Sequence, residues 1–287
     1  MALPRERQWR AVHRIATRAE PELRRAVLTA IARTRQAVST AEVQRALLEG
    51  DLADAARAVP WEEIAEPVLR DQFVRNVRDV YEESGRAAAR LLPFDASFSI
   101  TDRRALAFLE RAGGERITNI SNGTREGVRH VLVEAQRQGL AAVRTARLIK
   151  PLVGLTEPHA RAVMNRGAEL AAQGIAQSTI DARLARYARE LIQVRALMIA
   201  RTEASIAGNA GIREAWEQAA DQGLFERDEA TRVWIAVNDS ATDEDCAQLD
   251  GVEVGMDESF PDDAEPPLHP SCRCVVVLRP QGRREAA

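Results

Sequence analysis

The chain is poor in aromatic residues: they make up 4% of its 287 residues, with four Trp, two Tyr and six Phe. A core this short of rings must be built from Ala, Leu, Val and Ile, which suits packed helices better than a β-sandwich. Lysine is almost missing too, since Lys150 is the only one and nearly all positive charge is arginine. No run of about 18 apolar residues occurs, so no transmembrane helix is expected. The opening residues from Met1 to Arg7 lack the apolar stretch of a signal peptide, so synthesis in the cytosol is expected. Cysteine is scarce, three in all, and every one lies between Cys246 and Cys274. In a reducing compartment that clustering argues against disulfides and toward metal.

What is present is ordinary for a folded protein: 45% apolar and 29% charged residues, enough chain for about two domains. The net charge of −3 is unevenly spread. From Asp221 onward there are 16 acidic and 6 basic residues, and the first fifty positions hold 10 Arg against 5 Glu. Different partners for the two ends follow as an expectation, the plainer reading being a charged helical surface.

Helical spacing dominates the first three quarters. Trp9, Val12, Ile15, Leu23, Val27 and Ile31 predict helix over 5–37, with a break at Pro21. Further helices are predicted over 40–59 and from Pro60 toward Leu92, with Glu62 and Glu63 in a favourable first turn. The segment 92–100 reads as a loop. Helices are expected again over 102–112, 116–138 and 140–152. Thr156-Glu157-Pro158 is a helix start and Gly174 its stop. A capping box at Ser178 to Asp181 opens a long helix toward Ala220, halted by Gly223. Beyond Glu229 the pattern turns to short strands at 233–237, 252–254 and 274–278, separated by Gly, Asp and Pro. The expected fold is mainly α: an extended multi-helix body with a small C-terminal loop-rich β module, zinc-stapled in one reading. Three regions are expected, a helical 1–98, a central helical body 99–228 and an acidic β module 229–287.

Two constellations could carry chemistry. On the long helix, Ala196, Ala200, Ala204, Ala207, Gly208 and Gly211 recur every three or four residues. Small side chains on one face let another helix approach closely. Arg201, Thr202, Glu203 and Asn209 flank this seam and read as an ion pair or hydrogen-bond network, with a catalytic cluster as the sharper alternative.

The second constellation is Cys246, His269, Cys272 and Cys274. Cys272 and Cys274 sit two apart in a strand, so both thiols can share a face. His269 can turn back across Pro270, and Cys246 can close the set. Three thiolates and an imidazole form a tetrahedral structural zinc site, and a small Pro- and Gly-rich module is hard to stabilise without such a staple. A closed site leaves no position for a reacting water, so no catalytic residue and no enzymatic role is expected. Buried metal-free cysteines with a hydrogen-bonded histidine remain the other reading. The nearby Asp239, Asp243, Asp245 and Asp250 could hold a hard cation or serve as caps and turns.

The run Ile199-Ala200-Arg201-Thr202-Glu203, then Gly208-Asn209-Ala210-Gly211 and Trp216, precedes Val233-Trp234-Ile235 and Asp239. Leu249-Asp250-Gly251, Phe260, Pro266-Pro267 and His269-Pro270-Ser271-Cys272-Arg273-Cys274 follow. In order and spacing this resembles the phage Mu F-like head morphogenesis family, most strongly over 155–280. One departure is visible. The family often carries His in an Asp-x-x-Thr-Arg-x-x-His arrangement where this chain has Cys246, and Asp243 replaces the Arg. One soft ligand replaces another. The resemblance implies a virion protein, made in the host cytoplasm and present in a few copies near the portal vertex or inner head. Its implied partners are the portal or major capsid protein, and its role lies in head assembly or DNA packaging and delivery. A nucleic-acid-binding accessory that contacts packaged double-stranded DNA through the Arg-rich helices is the alternative. An enzyme using Arg201 and Glu203 ranks third, because no nucleophile–base pair or phosphate loop supports it.

Overall fold

A computed structural model describes residues 5–280. The expected frayed tail at 280–287 lies almost wholly outside those residues. Ten α-helices and three strands are described. The helices are α1 (Arg5–Ala37), α2 (Thr40–Leu48), α3 (Leu52–Arg57), α4 (Trp61–Val68), α5 (Val74–Leu91), α6 (Arg103–Arg137), α7 (Ala142–Leu152), α8 (Glu157–Ala172), α9 (Gln177–Asp221) and α10 (Glu244–Leu249). The strands are β1 (Ala230–Ile235), β2 (Glu253–Gly255) and β3 (Val275–Pro280). The chain is therefore mainly helical, with a small antiparallel sheet of order β2-β1-β3 near the C-terminus. Among the described residues no helix is long and apolar enough to cross a membrane.

The chain forms two compact units. One gathers residues up to 23, 74–111 and 198 onward; the other gathers 24–73 and 112–197.

Three helix boundaries differ from the expected ones, each for a local reason. Pro21 lies inside the continuous α1. Both Pro21 and Thr17, whose carbonyl loses its i+4 partner, are exposed, so water can serve that carbonyl. Gly113 and Gly114 do not interrupt α6. A buried stripe of Ala105, Ala112, Ile117, Ile120, Val128, Val131 and Leu132 runs its length and outweighs a propensity cost of about 1 kcal/mol per glycine. The segment 40–59 splits into α2 and α3, because Gly50 adopts a positive φ of 77° and Asp51 caps the next helix by accepting from the Asp54 amide at 2.8 Å. A smaller difference falls at α9, which begins at Gln177, just ahead of Ser178. Pro67, inside α4, is followed by a π-helical turn at Leu69–Phe73 that leads into α5.

In the first unit the sheet packs on the C-terminal half of α9. Ile212, Ala215, Trp216 and Ala219 join Val233, Trp234, Phe260 and Val275–Leu278 in one core. Trp234 meets Phe260 edge-on at 5.3 Å. Gln8 of α1 donates to the Leu278 carbonyl at 3.1 Å and so ties the N-terminal helix to β3. Buried Arg232 pairs with Glu265 at 3.1 Å and lies 5.2 Å above the Phe260 ring. Within this unit the small-residue seam is fully buried at Ala200, Ala204 and Ala207. A Cβ on Gly208 would sit 3.1 Å from Val12, and one on Gly211 would overlap the Tyr81 carbonyl. The seam thus lets α5 and α1 close on α9 within this unit.

In the second unit, Ile31 of α1 packs against Gly154 so closely that an added Cβ would sit 2.7 Å from the Ile31 side chain, and the Gly154 φ of 97° itself favours glycine. Trp61 donates to Ser121 at 2.9 Å, and Ser121 donates to Glu66 at 3.0 Å. Arg195 is buried with no carboxylate among its hydrogen-bond partners. It donates to the Gly154 carbonyl at 2.6 Å, the Ile120 carbonyl at 2.9 Å and the Thr124 hydroxyl at 2.9 Å. Burial pushes its pKa down to about 10.

Candidate metal centre

Each donor is placed by a short local device. Cys246 sits on α10, whose N-cap Asp243 accepts from the Asp245 amide at 3.1 Å. A turn after His269 brings the Cys272 amide to the His269 carbonyl at 3.1 Å. Ser271 in this turn has φ of 64°, an uncommon conformation for a non-glycine residue. Its amide donates to the Thr202 hydroxyl on α9 at 2.9 Å. Asn209, seven residues further along α9, holds the next stretch. It donates to the Cys274 carbonyl at 3.1 Å and accepts from the Val276 amide at 3.2 Å. Positions seven apart lie on one helix face, so Thr202 and Asn209 grip the cysteine segment from two turns of one helix.

The ligand atoms of Cys246, His269 and Cys272 all lie within 4.8 Å of one another. Cys246 Sγ is 3.3 Å from His269 Nε2 and 3.6 Å from Cys272 Sγ. A tetrahedral zinc with ordinary bond lengths spaces two sulfurs by about 3.8 Å and a sulfur and a nitrogen by about 3.6 Å. The observed separations are close to the edges of such a tetrahedron. Cys274 is not within that three-way set, but it lines the same small cavity as Cys246, His269 and Cys272. All three cysteines are free and buried, and His269 is half-buried.

Protonation also favours ligation. His269 Nδ1 lies 3.0 Å from the Pro270 carbonyl, which can only accept. Nδ1 therefore carries the proton, and Nε2 presents its lone pair to the thiols. The neighbouring Cys274 thiol and backbone amides pull the Cys272 thiol down, against the upward push of burial. Burial pushes Cys246 up to about 11, and the neighbouring Cys272 thiol raises Cys274 further.

The acidic residues nearby have other occupations. Asp239 makes a bidentate pair with Arg273 at 2.6 and 2.7 Å and accepts from Ala241 at 3.0 Å. Asp250 accepts from the Ala236 amide at 2.9 Å and from Asn238 at 2.7 Å. They build the loops that carry Cys246 and Arg273. Arg201 pairs with Glu20 at 3.1 Å. The flanking residues of the seam therefore serve as struts and ion pairs: Thr202 and Asn209 toward the cysteine segment, Arg201 toward α1.

A family model described as "Phage Mu protein F like protein" matches residues 126–277, more than half of the chain. The chain belongs to that family. The matched segment ends in β3 and contains α7 to α10, all four soft donors and both struts. No curated protein and no solved structure matches the chain.

Proposed function

We propose that this family member is a minor head protein of a tailed phage, a structural part of the virion and not an enzyme. It acts at the portal vertex or inner head, in head assembly or in DNA packaging and delivery. Portal and major capsid proteins are its direct partners, with a few copies per particle. The C-terminal module, 229–287, is the metal-stapled part; the helical regions 1–98 and 99–228 offer the contact faces.

The observation that carries this reading is the way the matched segment uses its distinctive residues. Thr202, Asn209, Asp239 and Asp250 all hold loops and strands through hydrogen bonds. The Cys–His cluster fits a structural zinc by donor type and by spacing. Cys246, His269, Cys272 and Cys274 would hold it, and zinc would supply a closed crosslink between α10 and the start of β3. Membership in a phage head family supplies the setting.

Quantitative mass spectrometry of purified heads tests it. The reading predicts the chain in heads at a fixed small ratio to portal, together with copurification of portal and chain from lysates. A chain absent from heads at every assembly stage contradicts it.

A further inference from the structure

In the second unit Arg24, Arg35, Arg147, Lys150 and Arg189 make no ion pair with a carboxylate among the described residues. Helix α7 holds Arg144, Arg147 and Lys150 and no acidic residue. Arg35 donates through Nε to the Val153 carbonyl at 3.2 Å and through Nη2 to the Pro151 carbonyl, so it caps the C-terminal end of α7. Arg189 of α9 stands close enough to Arg35 to push its pKa down further, after burial, to about 10. Arg24, further along the same α1, is bonded to the neutral Gln193 at 2.6 Å, and its Nε is buried with no partner. Buried Arg195, also on α9, is bonded to two carbonyls and a hydroxyl. Glu190, next to Arg189, is engaged 3.9 Å from Arg186. Elsewhere in this unit exposed arginines have carboxylates: Arg57 with Asp54, Arg161 with Glu157, Arg166 with Glu169.

Two guanidiniums side by side without a counter-charge repel one another, and backbone dipoles offset only part of that cost. Such an arrangement gains most from an external polyanion. Guanidinium matches phosphate oxygens in bidentate geometry and is weakly hydrated, so it is readily given up by water. The α1, α7 and α9 segments involved contain one aromatic residue, Tyr187, so there is no row of stacking rings for unpaired bases. We propose that Arg24, Arg35, Arg147, Lys150 and Arg189 form a sequence-independent binding surface for the phosphate backbone of double-stranded DNA. It rests on and deepens the DNA packaging and delivery reading proposed above, and does not depend on the zinc centre.

The test uses the full chain and a fluorescently labelled duplex of mixed sequence, read by anisotropy across a salt series. A triple variant Arg147→Gln, Lys150→Gln, Arg189→Gln removes exposed or half-exposed charges without touching the Arg35 or Arg195 bonds. A control triple, Arg45→Gln, Arg57→Gln, Arg166→Gln, removes the same charge from carboxylate-paired positions in the same unit. The surface predicts salt-dependent binding whose log–log slope shrinks by about 2 to 3 in the first triple, at roughly 0.9 per phosphate contact, and by much less in the control. Equal losses in both triples, or no binding by the wild-type chain, overturn the proposal. Poly-glutamate bound as tightly as the duplex also overturns it and assigns the surface to an acidic protein. Circular dichroism melts of both triples separate these outcomes from unfolding, and none of them bears on incorporation into heads.

Discussion

Replacing Gly211 with alanine sets two effects of opposite sign against each other. In an exposed helix interior the change favours the helix by about 1 kcal/mol. At Gly211, however, the new methyl would overlap the Tyr81 carbonyl oxygen, and it would stand 3.0 Å from the Tyr81 carbonyl carbon and 3.1 Å from the Gly85 amide nitrogen. These are backbone atoms of α5, so no side chain can rotate away. Either α5 and α9 separate, or the helices deform. Overpacking of this kind costs about 1–3 kcal/mol, and the backbone origin puts it at the upper end. The net expectation is destabilisation by about 1–2 kcal/mol, a melting temperature lower by a few degrees. Gly114 is the internal control. It lies within α6 with nothing within 4 Å of an added Cβ, so Gly114→Ala should stabilise by up to about 1 kcal/mol. Thermal melts of the two variants beside the wild type decide the matter. A Gly211→Ala protein as stable as Gly114→Ala would refute the close packing of α5 on α9.

Asn209→Leu removes the bonds to Cys274 and Val276, which should cost about 2 kcal/mol and raise hydrogen exchange in β3 before the helices. Arg195→Lys keeps the charge but cannot reach Gly154, Ile120 and Thr124 together, so denaturant melts should show a loss of about 1–3 kcal/mol. Arg273 holds the Asp239 carboxyl down to about 2, below the usual carboxylate value. A depressed folded-state pKa means this contribution is full above about pH 4 and fades as pH falls toward 2. Asp239→Asn should therefore lower stability above about pH 4, neutrality included, and flatten the acid limb so that variant and wild type converge as pH falls toward 2.

The small-residue seam was legible because Ala and Gly at helical spacing have one common physical use, and the buried positions follow it. The strands were legible as short apolar runs between Gly, Asp and Pro, although β1 runs over Ala230–Ile235 and not over 233–237. The three shifted helix boundaries show where local signals stop being sufficient. Pro21 and the Gly113-Gly114 pair are genuine penalties, but the flanking turns bury enough apolar surface to override them. The helix expected over 40–59 runs through Gly50, where a positive φ and the Asp51 cap make a turn.

The four soft donors stood out by residue type, and the structure gathers Cys246, His269 and Cys272 tightly, with Cys274 alongside. The roles of Thr202 and Asn209 were less visible. Their seven-residue spacing signals a shared helix face, but nothing in the sequence says that Ser271 and Cys274 lie opposite. The Asp239–Arg273 pair joins residues 34 apart in sequence and has no local signature.

The most direct test of a metal-stapled structural module is native mass spectrometry of the full chain, purified without chelator, beside its Cys272→Ser variant. The wild-type chain should carry one zinc, and the variant should carry none under the same conditions while its helical circular dichroism persists. A folded wild-type chain that takes up no zinc, even after incubation with the metal, would contradict the staple and leave a hydrogen-bonded thiol cluster in its place.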